Sequence, residues 1–162
     1  MSQLEKTIGT LVEDQMVSLL QMWGLNVEAI RCQGADLRVS HDVAVSYVEV
    51  KAVRSKVRDL SVWQTRDGMQ SCNRLRDGKV IIRPESHEML IQHQGCCYVF
   101  IVYELVTPDE AEPVILWKGI YWTPADHIHI KPDKRASISV SQLQQQFKSF
   151  HPRSFISWMK EG

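Results

Sequence analysis

The sequence predicts an α/β fold that opens α-β-β-β. Three observations carry that expectation. Leu4, Ile8, Leu11, Val12, Leu19, Met22 and Trp23 recur at the spacing of one amphipathic helix over residues 3–23. Three strand-like stretches follow at 25–31, 35–39 and 43–52, separated by turn residues. Apolar residues make up 44% and charged residues 23%, so a chain of 162 residues can bury a core as one domain.

Ser2 with Glu5 three residues later matches a capping box for the first helix. Gly24 is placed to end it. Gln33-Gly34 and Ser40-His41-Asp42 are turns, so the second and third strands read as a hairpin. From Arg54 to Gly78 the periodicity weakens. Asp67-Gly68 and Asp77-Gly78 are turn signals, and Val62-Trp63 with Met69 suggest a short helix. Lys79 to Arg83 is a brief strand stopped by Pro84. Ser86 can cap a helix running to His93 or Gln94 and ended by Gly95. Cys96 to Val106 and Val114 to Trp122 are strands, joined by an acidic loop from Thr107 to Pro113. Ser141 or a neighbour can cap a helix through Phe150, and the apolar tail 155–159 is expected to dock on the body.

Composition excludes several classes. No apolar run approaches the ~20 residues of a membrane span, and residues 1–5 lack a basic and apolar leader pattern. A cytoplasmic, non-membrane protein is expected. Cys32, Cys72, Cys96 and Cys97 form no C-x-x-C pair, which fits packed, reduced thiols. His87, His93, Cys96 and Cys97 lie close in sequence but match no common zinc spacing, since Cys96 and Cys97 would point to opposite faces of a strand. His127 and His129 alternate on a further strand after Pro124 and are read as structural or solvent-facing. There is no nucleophile elbow and no phosphate-binding glycine loop.

Net charge is zero, yet it is unevenly distributed. Residues 1–50 carry an acidic excess. Residues 51–83 hold nine basic side chains (Lys51, Arg54, Lys56, Arg58, Arg66, Arg74, Arg76, Lys79 and Arg83) against three acidic ones. A local positive field suits a polyanion; a solvated basic loop is the plainer alternative.

The basic block begins at a pattern with chemistry in it. On a strand, residues two apart share a face. Glu49 and Lys51 therefore point one way, and Val48 and Val50 point the other way into a core. Val43, Val45 and Val53 add to the expectation of a buried strand. Asp36, thirteen residues before Glu49, lies on the preceding strand and can reach the same point. Two carboxylates offer hard oxygen ligands that suit magnesium, and a neighbouring lysine suits a phosphate or an attacking water. This is the spacing of a metal-dependent phosphodiesterase site. Glu13 follows Val12 at the edge of the helix stripe and is the third carboxylate; Glu5 is already used by the capping box, and Asp14 faces further out. Alternating charge on a solvated strand, or a structural Glu–Lys pair, would give the same E-x-K pattern.

The set Glu13, Asp36 and Glu49-x-Lys51 resembles the PD-(D/E)xK nuclease superfamily. Its opening is similar to the archaeal-type Holliday-junction resolvases, through Gly9, Glu13, Gly24, Arg31, Gly34, Asp36-Leu37 and Glu49-Val50-Lys51. The likeness covers residues 9 to about 53. It implies a restriction-endonuclease-like core with a central mixed sheet flanked by helices, and a homodimer that cleaves DNA with Mg2+, for which Mn2+ substitutes. It assigns Glu13, Asp36, Glu49 and the Val50 carbonyl to the metal, and Lys51 to the water or phosphate. No small-molecule cofactor is expected. Residues 1–53 would form the catalytic motif, 54–95 a substrate-selecting insertion, and 96–162 the completing strands and helices. Arg54, Lys56, Arg58, Arg66, Arg74, Arg76 and Lys79 would bind DNA. The turn Cys32-Gln33-Gly34-Ala35 is shorter and less basic than in those resolvases, and the chain is longer and neutral. A site-specific or viral DNA-processing nuclease of the same fold, and a non-catalytic DNA-binding protein with a vestigial site, are the alternatives.

Overall fold

The computed structural model describes residues 3–32, 34–106 and 112–161. Helix α1 (Gln3–Met22) buries Ile8, Val12, Met16 and Leu20, one side chain per turn. Gly24 ends it in the left-handed region at φ 85°, a conformation that glycine adopts without strain. Strands β1 (Asn26–Cys32), β2 (Ala35–His41) and β3 (Ala44–Arg54) then pair antiparallel in succession.

Between β3 and the next strand of the main sheet, four elements are inserted. Strands β4 (Lys56–Thr65) and β5 (Gly68–Asp77) form a separate two-stranded ribbon. Strand β6 (Lys79–Ile82) and helix α2 (Pro84–Ile91) lead to β7 (Cys96–Val106), which returns parallel to β3. Strand β8 (Val114–Pro124) folds back on β7, and a 3-10 turn at Ala125–His127 follows. Strand β9 (Ala136–Ser139) pairs with β6, helix α3 (Val140–Gln146) follows, β10 (Lys148–Ser149) adds to β8, and α4 (Pro152–Glu161) closes the described chain. The main sheet has the order β1-β2-β3-β7-β8-β10 and is mixed, because only the β3–β7 pair is parallel.

Apolar layers form on both faces of the sheet. On one, α1 and α4 bring Val12, Met16, Phe155 and Met159 against Leu37, Val48, Val99 and Trp122. On the other, α2, α3 and the β6–β9 pair bring Leu90, Leu143, Val80 and Ile82 against Phe100 and Val102. The product is a mixed α/β fold with a central sheet flanked by helices. Among the described residues, no helix is long and apolar enough to cross a membrane.

Several expectations need correction. The helix expected around Val62-Trp63 and Met69 is the β4–β5 ribbon, with its turn between Thr65 and Gly68. The expected helix after Pro84 starts at the proline itself, whose missing N–H suits the first helical position, and not at Ser86. The later helix is capped by Ser139 in a capping box with Gln142 and stops at Gln146, because residues 148–149 pair with β8. His127 ends a 3-10 turn rather than lying on a strand. Val43 sits in the β2–β3 turn and is 97% exposed, so it contributes nothing to the core. Ser2 and most of the acidic 107–113 loop lie outside the described residues.

Candidate active site

The β2–β3 register places Leu37 opposite Val48, so the next pair along is Asp36 and Glu49. Strand alternation then puts Glu49 and Lys51 on the face away from Val48 and Val50, which pack into the α1 layer. Asp36 is oriented by the Val50 N–H, which donates to its Oδ2 at 2.8 Å. Lys51 Nζ lies 4.0 Å from Glu49 Oε1. Glu13 reaches the same groove from α1.

All four residues line one groove of about 720 Å³, with Gly9, Arg54, Val57, Lys79 and Tyr103 among its other walls. Two of the seven predicted DNA-binding side chains, Arg54 and Lys79, therefore line the same groove as the carboxylates. Lys56, Arg58, Arg66, Arg74 and Arg76 belong to the ribbon or its turn. Lys56 is engaged by Asp77, Arg58 donates to Asn73 at 2.6 Å, and Arg76 lies 3.6 Å from Asp59.

The electrostatics follow from burial. The Glu49 side chain is only 17% exposed. Burial first, then a hydrogen bond to Asp36 and the Asp36 charge, together push its carboxyl up to about 9 against the opposing pull of Lys51. Burial also raises Glu13, and Arg31 works against that shift. A buried carboxyl held in its neutral form beside a second carboxyl is a poor arrangement by itself and a good one around a hard cation. Asp36, Glu49 and the Val50 carbonyl thus fit a magnesium-type ligand set in chemistry. Among the described residues, no three His, Cys, Asp or Glu side chains already converge as a complete metal site.

Arg31 helps to explain that. Its Nε lies 3.0 Å from Glu13 Oε1 and its guanidinium 3.4 Å from Asp14. The side chain gets there because the β1–β2 pairing is irregular between Ala29 and Cys32, and Arg31 takes a positive φ of 46°. The sequence marks Arg31 only as part of a resemblance; no periodicity signals its reach to α1. A second unheralded contact lies behind Glu49. Tyr98 is its register partner on β7, and the Tyr98 hydroxyl sits 2.7 Å from His87 Nδ1 in the interior. His93 stacks on Tyr47, and Cys97 is buried beside Ser46, so the residues of the discarded zinc reading are dispersed.

No protein-family model matches the chain. No curated protein matches it significantly. Among solved structures, it is similar to Hjc, a Holliday junction resolvase from the archaeal hyperthermophile Archaeoglobus fulgidus, with a TM-score of 0.54 at 12% identity, over 92% of this chain and 95% of that one. The likeness is one of fold.

Proposed function

We propose that this chain is a metal-dependent DNA endonuclease, structure-selective for branched DNA in the manner of a Holliday-junction resolvase, and active as a homodimer. The observation that carries the reading is the Asp36–Glu49 pair, held face to face beside Lys51 in a groove that Glu13 also lines. The fold similarity to a resolvase supports it.

The roles follow from position. Asp36, Glu49 and the Val50 carbonyl would hold Mg2+, or Mn2+ in its place, with Glu13 on the far wall of the groove. The cation would supply Lewis-acid activation of a water and offset charge developing on the phosphate. Val50 N–H fixes the rotamer of Asp36. Lys51 supplies a positive charge next to Glu49, where it orients the scissile phosphate or the attacking water. Arg54 and Lys79 line the groove and attract the polyanion.

The test is a gel assay on four-way junctions, flaps and linear duplex, with and without magnesium. Magnesium-dependent cutting of the branched substrates is expected. Asp36→Ala and Glu49→Ala should each reduce it by at least about a thousandfold, the several kcal/mol that metal assistance supplies. Full cleavage by either variant removes the proposal. Equal cutting of junction and linear DNA would keep the chemistry and reject structure selectivity. Binding with no cutting would favour a vestigial site.

A further inference from the structure

The β4–β5 ribbon is two-faced, and its faces can be assigned from its register. Lys56 pairs with Asp77 and Thr65 with Gly68, without slippage between. Alternation puts Arg58, Leu60, Val62, Met69 and Leu75 on one face. The other face carries Val57, Asp59, Ser61 and Trp63 opposite Arg76, Arg74, Cys72 and Gln70. One side of the ribbon therefore carries exposed apolar side chains beside Lys56, Arg58 and Asp77, and the other carries Arg74, Arg76, Asp59 and a half-exposed indole.

The base of the ribbon tells which face belongs to the groove. Val57 lines the groove that holds Asp36, Glu49 and Lys51. It lies on the same face as Arg74, Arg76 and Trp63. The base is also firmly set. Ser55 N–H donates to the Tyr103 carbonyl at 2.7 Å, Gly78 N–H donates to the Ser55 carbonyl, and Asp77 is held by Lys56 and Ser141. Gly78 passes so close to Arg54 that a Cβ there would run into the Arg54 carbonyl oxygen. A ten-residue strand spans roughly 33 Å, about one turn of duplex DNA.

We infer that the Val57, Arg74, Arg76 and Trp63 face of the ribbon continues the cleavage groove and carries the DNA flanking the scissile phosphate. The inference rests on the nuclease reading and adds a binding surface to it. Continuity with the groove through Val57 favours a nucleic acid here. Asp59 is the acid on this face and is neutralised by Arg76 at 3.6 Å, which leaves Arg74 for phosphate. Trp63 offers a flat ring for an unpaired base, as at a branch point. On the Leu60, Val62, Met69 and Leu75 face, Lys56 is engaged by Asp77 and Arg58 by Asn73, and this face is assigned no part in DNA binding.

The experiment compares the two faces by fluorescence anisotropy on a four-way junction and on linear duplex, without divalent cation and over a range of salt. Arg74→Ala and Trp63→Ala are set against the double variant Leu60→Ser, Leu75→Ser, with circular dichroism confirming the fold of each. Arg74→Ala should weaken binding about tenfold and lower the salt slope by about one. Trp63→Ala should weaken junction binding by about tenfold and affect the fully paired duplex less. The apolar-face variant should bind like the parent. Parental binding by both Arg74→Ala and Trp63→Ala, or a greater loss from the apolar-face variant, overturns the assignment. If the parent cuts DNA with magnesium in either of those cases, the nuclease reading survives; if the parent neither binds nor cuts DNA, that reading falls as well.

Discussion

Asp36 and Glu49 stand opposite each other on adjacent antiparallel strands, with the Val50 N–H donating to Asp36 Oδ2 at 2.8 Å. A proton and a cation compete for this pair. The Glu49 carboxyl goes from an ordinary 4.5 to about 9 on folding. The fold thus favours the neutral acid. Its contribution to stability is full below about 4.5 and is lost progressively as pH rises toward about 9.

Thermal unfolding of the cation-free protein should therefore show Glu49→Gln gaining on the parent as pH rises through that window. His87, lowered by burial, acts on the acid side and is common to both proteins, so it cancels in the difference. Magnesium should raise the Tm of the parent more at the alkaline end than at the acid end, because there it displaces no proton. A parent-minus-Gln difference that is flat with pH would show that the pair does not hold its proton as described.

Arg31 is a second lever. It ties down Glu13 at 3.0 Å while held at φ 46°, a backbone region that costs a non-glycine residue about 1 kcal/mol or more. Arg31→Gly relieves the backbone and Arg31→Ala does not, although both delete the ion pair. Arg31→Gly should be the more stable of the two by about 1 kcal/mol in urea unfolding. Both should shift any Glu13-dependent limb of a pH–rate profile upward, since Arg31 opposes the rise in the Glu13 pKa. Equal stabilities would mean that the turn relaxes freely around either side chain.

These two sites also show which features of the fold a sequence discloses. The first helix was legible because Ile8, Val12 and Leu19 repeat against polar neighbours, and Cys96–Val106 because it is almost uniformly apolar and buried. The Asp36 and Glu49 positions were legible because strand alternation alone sets which face they share. The ribbon was not. Its strands are exposed on both faces, so Leu60 and Val62 on one side and Trp63 on the other leave no period-two pattern behind. The Arg31–Glu13 pair was not legible either, since it needs a left-handed residue at an irregular pairing that nothing local announces. Ser139 rather than Ser141 as the cap follows from β9 running straight into α3, a tertiary pairing with β6.

Gly9 lies in the middle of α1 on the groove wall, and a Cβ added there would meet nothing within 4 Å. Packing does not require the glycine. Gly9→Ala should stabilise the chain by about 0.5–1 kcal/mol in urea unfolding, the ordinary helix-interior difference. If the groove accepts a DNA backbone at this point, the same substitution should weaken DNA binding in anisotropy. A destabilised Gly9→Ala would show that α1 packs more tightly against its surroundings than described.

The ribbon should be dispensable for folding. Its contacts are overwhelmingly between its own two strands, and the core residues on both faces of the main sheet come from other elements. An isolated hairpin adds little stability of its own in water. Lys56 and Asp77 are register partners, so residues 57–76 can be replaced by a two-glycine turn without moving the Lys56–Asp77–Ser141 contacts at the base. That deletion should change the unfolding free energy by less than about 1 kcal/mol, a Tm shift of only about 2–4 °C for a chain of this size. Magnesium-dependent cutting should persist at saturating DNA, while affinity falls, because Asp36, Glu49 and Lys51 are untouched. A shortened chain that fails to fold would mean that the ribbon braces the β3–β6 junction and is not simply an arm hung from it.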